Sequence, residues 1–222
     1  MGAVEREVGK SADERRDQVL RAALDVIAER GFDDTRISDV AERAGVSPAL
    51  VVYYFKTRER LLTETVRLGE ESWYAAVDER LRVHDSAIDR LTEIVALTCF
   101  ADDISGVPEP WSLWLDLWAQ SVHNPTVSSV RQEFDSRWRT TLREIVFEGQ
   151  RSGEFREIDA EEFALAFSAL LDGFAVQFAL QDPDVEPDRA FRLSMTFASE
   201  HLGFALEAAA SGAKRQAKVG DR

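Results

Sequence analysis

Cysteine is almost absent from this chain: Cys99 is the only one, which excludes an intrachain disulfide and any zinc site built on cysteines. Histidine is nearly as scarce. His84, His123 and His201 are scattered, with no HExxH pair, no nucleophile elbow and no glycine-rich phosphate loop around them. These absences argue against an enzyme, and neither a metal nor a cofactor is expected. No run approaches the ~18 to 20 apolar residues of a membrane-spanning helix. The opening MGAVEREVGKSADERR is charged and lacks the apolar stretch of a secretory signal. A cytoplasmic protein that does not engage membranes is the resulting expectation. Proline and glycine are also few, 6 and 12 among 222 residues, which leaves long stretches without a break.

Those stretches read as helix. Between the breaks at Gly31, Gly45–Pro48, Gly106–Pro110, Pro125, Gly149–Gly153, Pro183–Pro187 and Gly212, apolar residues recur at spacings of three and four. Helices are expected near 12–30, 37–44, 48–54, 58–82, 86–101, 109–122, 126–151, 159–181 and 187–210. No alternation is sustained enough for a sheet, so the expected class is all-α. A three-helix head over 12–57 would precede a helical body over 58–210, with residues 1–11 and 211–222 as polar tails.

The formal charge is −14, which would oppose phosphate contact if it were evenly spread. It is not. Residues 1–60 carry 11 Lys and Arg against 12 Asp and Glu, while residues 61–222 carry 16 against 29. The acid belongs to the body and the head is near neutral, so local placement of cations decides what the head can bind.

Residues 35–62 read TRISDVAERAGVSPALVVYYFKTRERLL. Ile37, Val40, Ala41 and Ala44 share one face of a short helix, and the two alanines are small enough to let another helix cross closely. Gly45 ends it and Val46 packs inward. Ser47 is a strong N-cap and Pro48 suits the first helical position, where a missing N–H costs nothing. Leu50 or Val51, with Phe55, would turn a second short helix to the core. Two short helices across a tight glycine turn form a helix-turn-helix, whose second helix can enter a major groove.

With Gly31-Phe32, Thr35, Ile37-Ser38-Asp39-Val40-Ala41, Ala44-Gly45-Val46-Ser47, Tyr53-Tyr54-Phe55 and Arg60-Leu61-Leu62, the first 13–62 residues resemble the TetR family of repressors. The resemblance implies DNA contact through Thr35, Arg36, Ser47, Pro48, Ala49, Tyr53, Tyr54 and Lys56. Hydroxyls of Thr35, Ser47, Tyr53 and Tyr54 would meet phosphate, with Arg36 and Lys56 supplying charge at the groove edges. Base reading would fall near Pro48, Ala49 and Leu50, by apolar contact with thymine methyls. The sequence departs from the usual family pattern where Ala49 replaces glycine, where Val51-Val52 replaces a Leu-Tyr pair, and at Thr57-Arg58-Glu59. The lost tyrosine removes a phosphate contact, and the Val-Val pair is similar to the BetI-type branch.

Residues 111–180 also resemble the BetI-type C-terminal domain, through Trp111, Trp114 and Trp118, the run Glu148-Gly149-Gln150-Arg151-Ser152-Gly153-Glu154-Phe155, and Leu170-Leu171-Asp172-Gly173-Phe174. Trp111, Trp114, Leu115 and Trp118 form one aromatic stripe, which suits either core packing or the wall of a ligand pocket. Asp172, beside Phe174 and Gln177, would turn to solvent, to a dimer seam or to a cavity. Trp111, Trp114, Trp118, Asp172, Phe174 and Gln177 are the candidate effector residues. An aromatic wall with a carboxylate suits a cation such as a quaternary ammonium or a polyamine, and a neutral hydrophobic ligand suits the tryptophans as well. The resemblance assigns the last two helices, rich in Phe and Leu, to a dimer seam. The function implied is a repressor that binds a palindromic operator on double-stranded DNA as a homodimer and is released by a small-molecule effector. The alternative is a helical ligand-binding protein with a degenerate head.

Overall fold

The computed structural model describes residues 11–100 and 110–206, the side chains of 110–113 excepted. Among these residues there are nine α-helices and no strand: α1 (Ala12–Asp34), α2 (Ile37–Ala44), α3 (Pro48–Phe55), α4 (Arg58–Arg82), α5 (Ala87–Phe100), α6 (Pro110–Ser121), α7 (Pro125–Ser152), α8 (Ala160–Ala179) and α9 (Pro187–Leu202). The all-α class is the one expected. One compact unit ends at Gly69 and a second begins at Glu70. The first turns of α4 therefore pack with the head, and Leu61 is buried in the head's own core. The sequence alone places the division at residue 58, where α4 starts. The tails expected at 1–11 and 211–222 lie outside the described residues, apart from Ser11.

The head is built by local signals. Ser11 accepts from the Glu14 N–H (3.2 Å) and its own N–H donates to the Glu14 carboxylate (2.7 Å), a capping box that starts α1. Val19, Leu20, Ala23, Val26 and Ile27 bury one face of that helix. Gly31 breaks the helical dihedrals at φ 76°, yet a further turn follows to Asp34, and Phe32 returns to the core with 4% exposure. Gly45 closes α2 in the left-handed conformation (φ 66°, ψ 34°), and the Val46 N–H donates back to the Ala41 carbonyl at 2.9 Å. Gln18 of α1 donates to the last carbonyl of α2, Ala44, at 2.6 Å. Ser47 caps α3 by accepting from the Leu50 N–H at 3.2 Å, and Val51 and Phe55 lock α3 to the core.

The body core gathers Leu91, Ile94, Leu142, Val146, Phe167 and Leu202, all fully enclosed. The segment after α7 ties three helices together. Glu154 accepts from the Ser86 hydroxyl (2.5 Å) and from the Ala87 and Ile88 N–H groups (3.1 and 3.2 Å). A carboxylate from a distant loop thus serves as the N-cap of α5. The Phe155 ring lies on Gly149, where a Cβ would come within 2.1 Å of it. Arg156 donates from Nε to the His201 carbonyl (2.7 Å) and from Nη2 to the Glu200 carbonyl (3.0 Å), and so holds the C-terminus of α9.

Two expectations are corrected. The last helix was expected to run to 210, but it ends at Leu202 because Gly203 adopts φ 79° and donates to Ser199. Phe204 then folds back onto Phe155, their ring centres 5.6 Å apart. By length and composition alone α8 is apolar enough to cross a membrane, contrary to the reading that no segment is. Its Phe163, Phe167, Leu171 and Ala175 are buried in the body core, the pattern of a core helix.

Candidate DNA interface and effector pocket

The head presents α3 by its outer side. Pro48, Ala49, Val52, Tyr53 and Lys56 are exposed, with Leu50 and Tyr54 half-buried. Tyr53 is the most open large side chain of the helix at 67%, and its ring meets that of Tyr54 edge-on at 5.4 Å. Tyr53 faces outward, where a phosphate backbone could accept from its phenol, whereas Tyr54 packs partly against the head core. Ser47 is exposed as well, but its hydroxyl oxygen already accepts within its own cap. Arg36 stands exposed at the start of α2, its N–H donating to the Asp39 carboxylate at 3.4 Å.

Lys56 occupies the centre of a strained turn. Its φ of 66° and ψ of −50° lie outside the left-handed helical well, and the Thr57 N–H donates across it to the Phe55 carbonyl at 2.7 Å. This is the rare positive-φ form of the γ-turn, and for a residue with a Cβ such a backbone costs about 1–3 kcal/mol. The turn carries the ammonium 5.1 Å from the Tyr53 ring centre, which keeps a cation beside the exposed face of α3.

Thr35 does not have the place expected of it. It is 1% exposed, its hydroxyl donates to the Gly31 carbonyl at 2.7 Å, and its own carbonyl accepts from Arg58 Nε at 2.7 Å. Gly31, by leaving the helix, frees the carbonyl that Thr35 satisfies. Thr35 is an internal clasp and not an outward hydroxyl. Arg58 likewise turns inward, donating also to the Phe32 and Asp33 carbonyls.

In the body, Trp114 of α6 meets Phe134 of α7 edge-on at 5.7 Å. One turn further along α7, Trp138 meets Trp73 of α4 at 5.8 Å, and Trp73 meets Tyr74 at 4.9 Å. Trp114 and Trp118 are half-buried, whereas Leu117 on the same side of α6 is enclosed. Trp111 lies on α6, but its side chain falls outside the described residues. Asp172 is half-buried and makes no hydrogen bond or ion pair with another described residue. Burial, and then the nearby negative charge of Asp135, push its carboxyl up to about 6, against the opposing pull of Arg139 and Arg131. Asp135 is raised too, again by burial first, although Arg131 pairs with it one turn earlier on α7.

Phe174 and Gln177 do not join Asp172. Successive helical residues are about 100° apart, so Phe174 points roughly 200° and Gln177 roughly 140° round α8 from it. Phe174 packs instead on the main body core. The residues that the sequence reading missed, Trp73, Phe134, Asp135 and Trp138, sit on long amphipathic helices far apart in sequence, where each alone reads as ordinary core. A separate open groove of about 520 Å³ at the end of α7, lined by Glu144, Phe147, Glu148, Gln150, Arg151 and Glu157, contains none of these side chains. Cys99 is buried, and burial pushes its thiol up to about 12, which disfavours the reactive thiolate.

A capped helix-turn-helix with an open second helix, followed by a helical body with an aromatic interior, defines a DNA-binding transcriptional regulator of the one-component kind. The chain belongs to the tetR family of bacterial regulatory proteins: residues 19–65 match that family's model and residues 87–203 match the BetI-type transcriptional repressor C-terminal model. It is 33% identical over 190 residues to the HTH-type transcriptional regulator BetI of Klebsiella pneumoniae (strain 342), covering 85% of this chain and 94% of that one. The Escherichia coli (strain K12) regulator of the same name is 32% identical over the same span. Among solved structures, a putative transcriptional regulator from Saccharomonospora viridis in complex with choline is similar, with a TM-score of 0.74 and 30% identity over 85% of this chain and 97% of that one. A putative TetR-family regulator from Rhodococcus sp. superposes with a TM-score of 0.73 at 28% identity. These relatives are regulators and not enzymes.

Proposed function

We propose that this regulator is a cytoplasmic, homodimeric repressor that holds a palindromic operator through α3 and is released by a small quaternary ammonium cation bound in its body. The observation that carries the effector class is Asp172, a half-buried carboxylate without a partner among the described residues, in a body whose α6, α7 and α4 are joined by Trp114, Phe134, Trp138 and Trp73. A soft cation is stabilised by aromatic faces and by a carboxylate that water does not screen. A neutral hydrophobic ligand would leave Asp172 uncompensated. The choline complex of the Saccharomonospora viridis relative supports the same class.

Arg36, Ser47, Pro48, Ala49, Leu50, Tyr53, Tyr54 and Lys56 are assigned to DNA, and Trp114, Trp118 and Asp172 to the effector, with Trp73, Trp138 and Asp135 added. The dimer reading is supported by the outer sides of α8 and α9, where Leu180 and Leu193 are 66% and 49% exposed. A second copy laid on this face by twofold symmetry would cover it. Two heads would then address half-sites ~34–36 Å apart. Effector bound against Trp73 would act on α4, the helix whose earlier turns belong to the head, and it shifts operator affinity only as far as it prefers one state of the dimer. The test is a fluorescence-anisotropy titration against the DNA flanking the gene, with and without choline. Saturable binding that choline weakens supports the proposal. Saturable binding indifferent to choline and its analogues overturns the effector assignment.

A further inference from the structure

We infer that α3 reads its operator through thymine methyl groups, with Val52 paired to Ala49 as the base-contacting side chains; the inference rests on the proposed operator binding and names the chemistry it reads. The helix is Pro-Ala-Leu-Val-Val-Tyr-Tyr-Phe. It contains no Arg, Lys, Asn, Gln, Asp or Glu, the side chains that read guanine, adenine or cytosine by hydrogen bonds in the major groove. Val51 and Phe55 account for its buried side, at 0% and 1% exposure. Val52 is not part of that packing: it is 43% exposed, although a β-branched apolar side chain gains nothing from water. At about 100° per residue, Ala49 and Tyr53 lie opposite Val51 and Phe55, and Val52 borders them, about 60° round the helix from Ala49 and exposed although it is as near to Phe55. The side that a groove would meet is therefore a methyl-rich surface bordered by a phenol.

The arginines around α3 do not replace the missing readers. Arg16 and Arg60 (2.7 Å) pair with Glu64, Arg43 pairs with Glu29 at 2.6 Å, and Arg30 pairs with Asp39 at 3.1 Å. Arg58 is turned onto main-chain carbonyls. Arg36 lies on the first helix of the motif and Lys56 at the far end of the second, positions that flank the groove. What remains for the centre of α3 is the C5 methyl of thymine, the one base feature in the major groove that an apolar side chain recognises. The Val52 that displaces a tyrosine exchanges a phosphate donor for a base reader.

The experiment selects operators from a random duplex library with the full-length wild-type chain, then replaces single thymines by uracil, which pairs identically but lacks the methyl. The expected result is that one or two positions per half-site weaken wild-type binding roughly five- to thirtyfold on this change. The same positions respond less than about twofold in Val52→Ala. Val52 is exposed, so the variant is expected to fold, and its circular dichroism and melting midpoint check that. Selected sites whose binding is indifferent to uracil, or which lose affinity equally in wild type and Val52→Ala, overturn the inference while operator binding stands. If no sequence is enriched at all, operator binding and the inference fail together.

Discussion

At Asp172, stability and function pull in opposite directions. Its folded value of about 6 lies above the ordinary 3.8, so the fold prefers the protonated acid. The native state is not disadvantaged below pH 3.8; the cost grows as pH rises from there through about 6 and is fully present above it. Asp172→Asn should therefore raise stability by about 3 kcal/mol at pH 7.5 and by only about 0.5 kcal/mol at pH 4, read from denaturant midpoints at the two pH values. An equal effect at both would show that the carboxylate's charge is not what the fold resists. The ionised form is also the one that attracts a cation. If the proposed cation site is right, choline affinity falls about tenfold between pH 7.5 and pH 5, as the ionised fraction drops, and isothermal titration at both pH values measures it. Thr35 makes the contrasting case. Thr35→Val removes the hydroxyl that satisfies the Gly31 carbonyl and should cost about 1 kcal/mol, while operator affinity of the folded variant stays unchanged. A loss of affinity without a loss of stability would put Thr35 back at the DNA.

The helices begin and end where short-range chemistry says, and where it does not, tertiary structure is the reason. Ser47-Pro48 and Gly45 could be read directly because a cap and a left-handed turn involve only neighbouring residues. The end of α9 could not. Leu202 and Leu206 keep the apolar spacing going past Gly203, and what stops the helix is the glycine's φ of 79° together with Arg156, 46 residues earlier in the chain, laid across its last carbonyls. On α8, proximity in sequence groups Phe174 with Asp172, although residues two apart on a helix face nearly opposite ways. The Glu148–Phe155 run carries the BetI-type resemblance. It is a junction: Gly149 admits the Phe155 ring and Glu154 caps α5. Gly149→Ala places a methyl inside that ring and should destabilise by about 3 kcal/mol, whereas pairing it with Phe155→Leu should recover part of the loss. Additive losses in the double variant, measured by thermal unfolding, would mean that the ring and the glycine do not share the space. Glu154 carries a pH signature as well. Burial opposes its charge, but hydrogen bonds from Ser86, Ala87, Ile88 and Ser152 outweigh that and hold its carboxyl below the ordinary 4.5. Its support is present above pH 4.5 and lost as pH falls through the lowered value.

A chain of formal charge −14 that binds a polyanion gains little from long-range attraction, so its affinity depends on short-range fit and, in the proposed dimer, on having two heads at once. The second head matters because, once one is seated, the other samples its half-site at a high effective concentration. That advantage exists only if two copies are held together, and the face available for it is the outer side of α8 and α9. Leu193 is 49% exposed there and Leu180 is 66%, large apolar groups left open to solvent. In a twofold interface each substitution enters twice, so Leu193→Glu places a new carboxylate on both sides of the seam. Sedimentation should show that this variant is monomeric at concentrations where wild type is dimeric, with its helical content unchanged because Leu193 is not in the core. Its operator affinity should fall by more than about tenfold, and binding to an isolated half-site should be unaltered. The last comparison separates the two ways the variant could fail. A damaged head would lose both the operator and the half-site, whereas a lost dimer loses only the pairing. A variant that stays dimeric and binds normally would place the seam elsewhere and leave the apolar outer face of α8 and α9 to be explained by another partner.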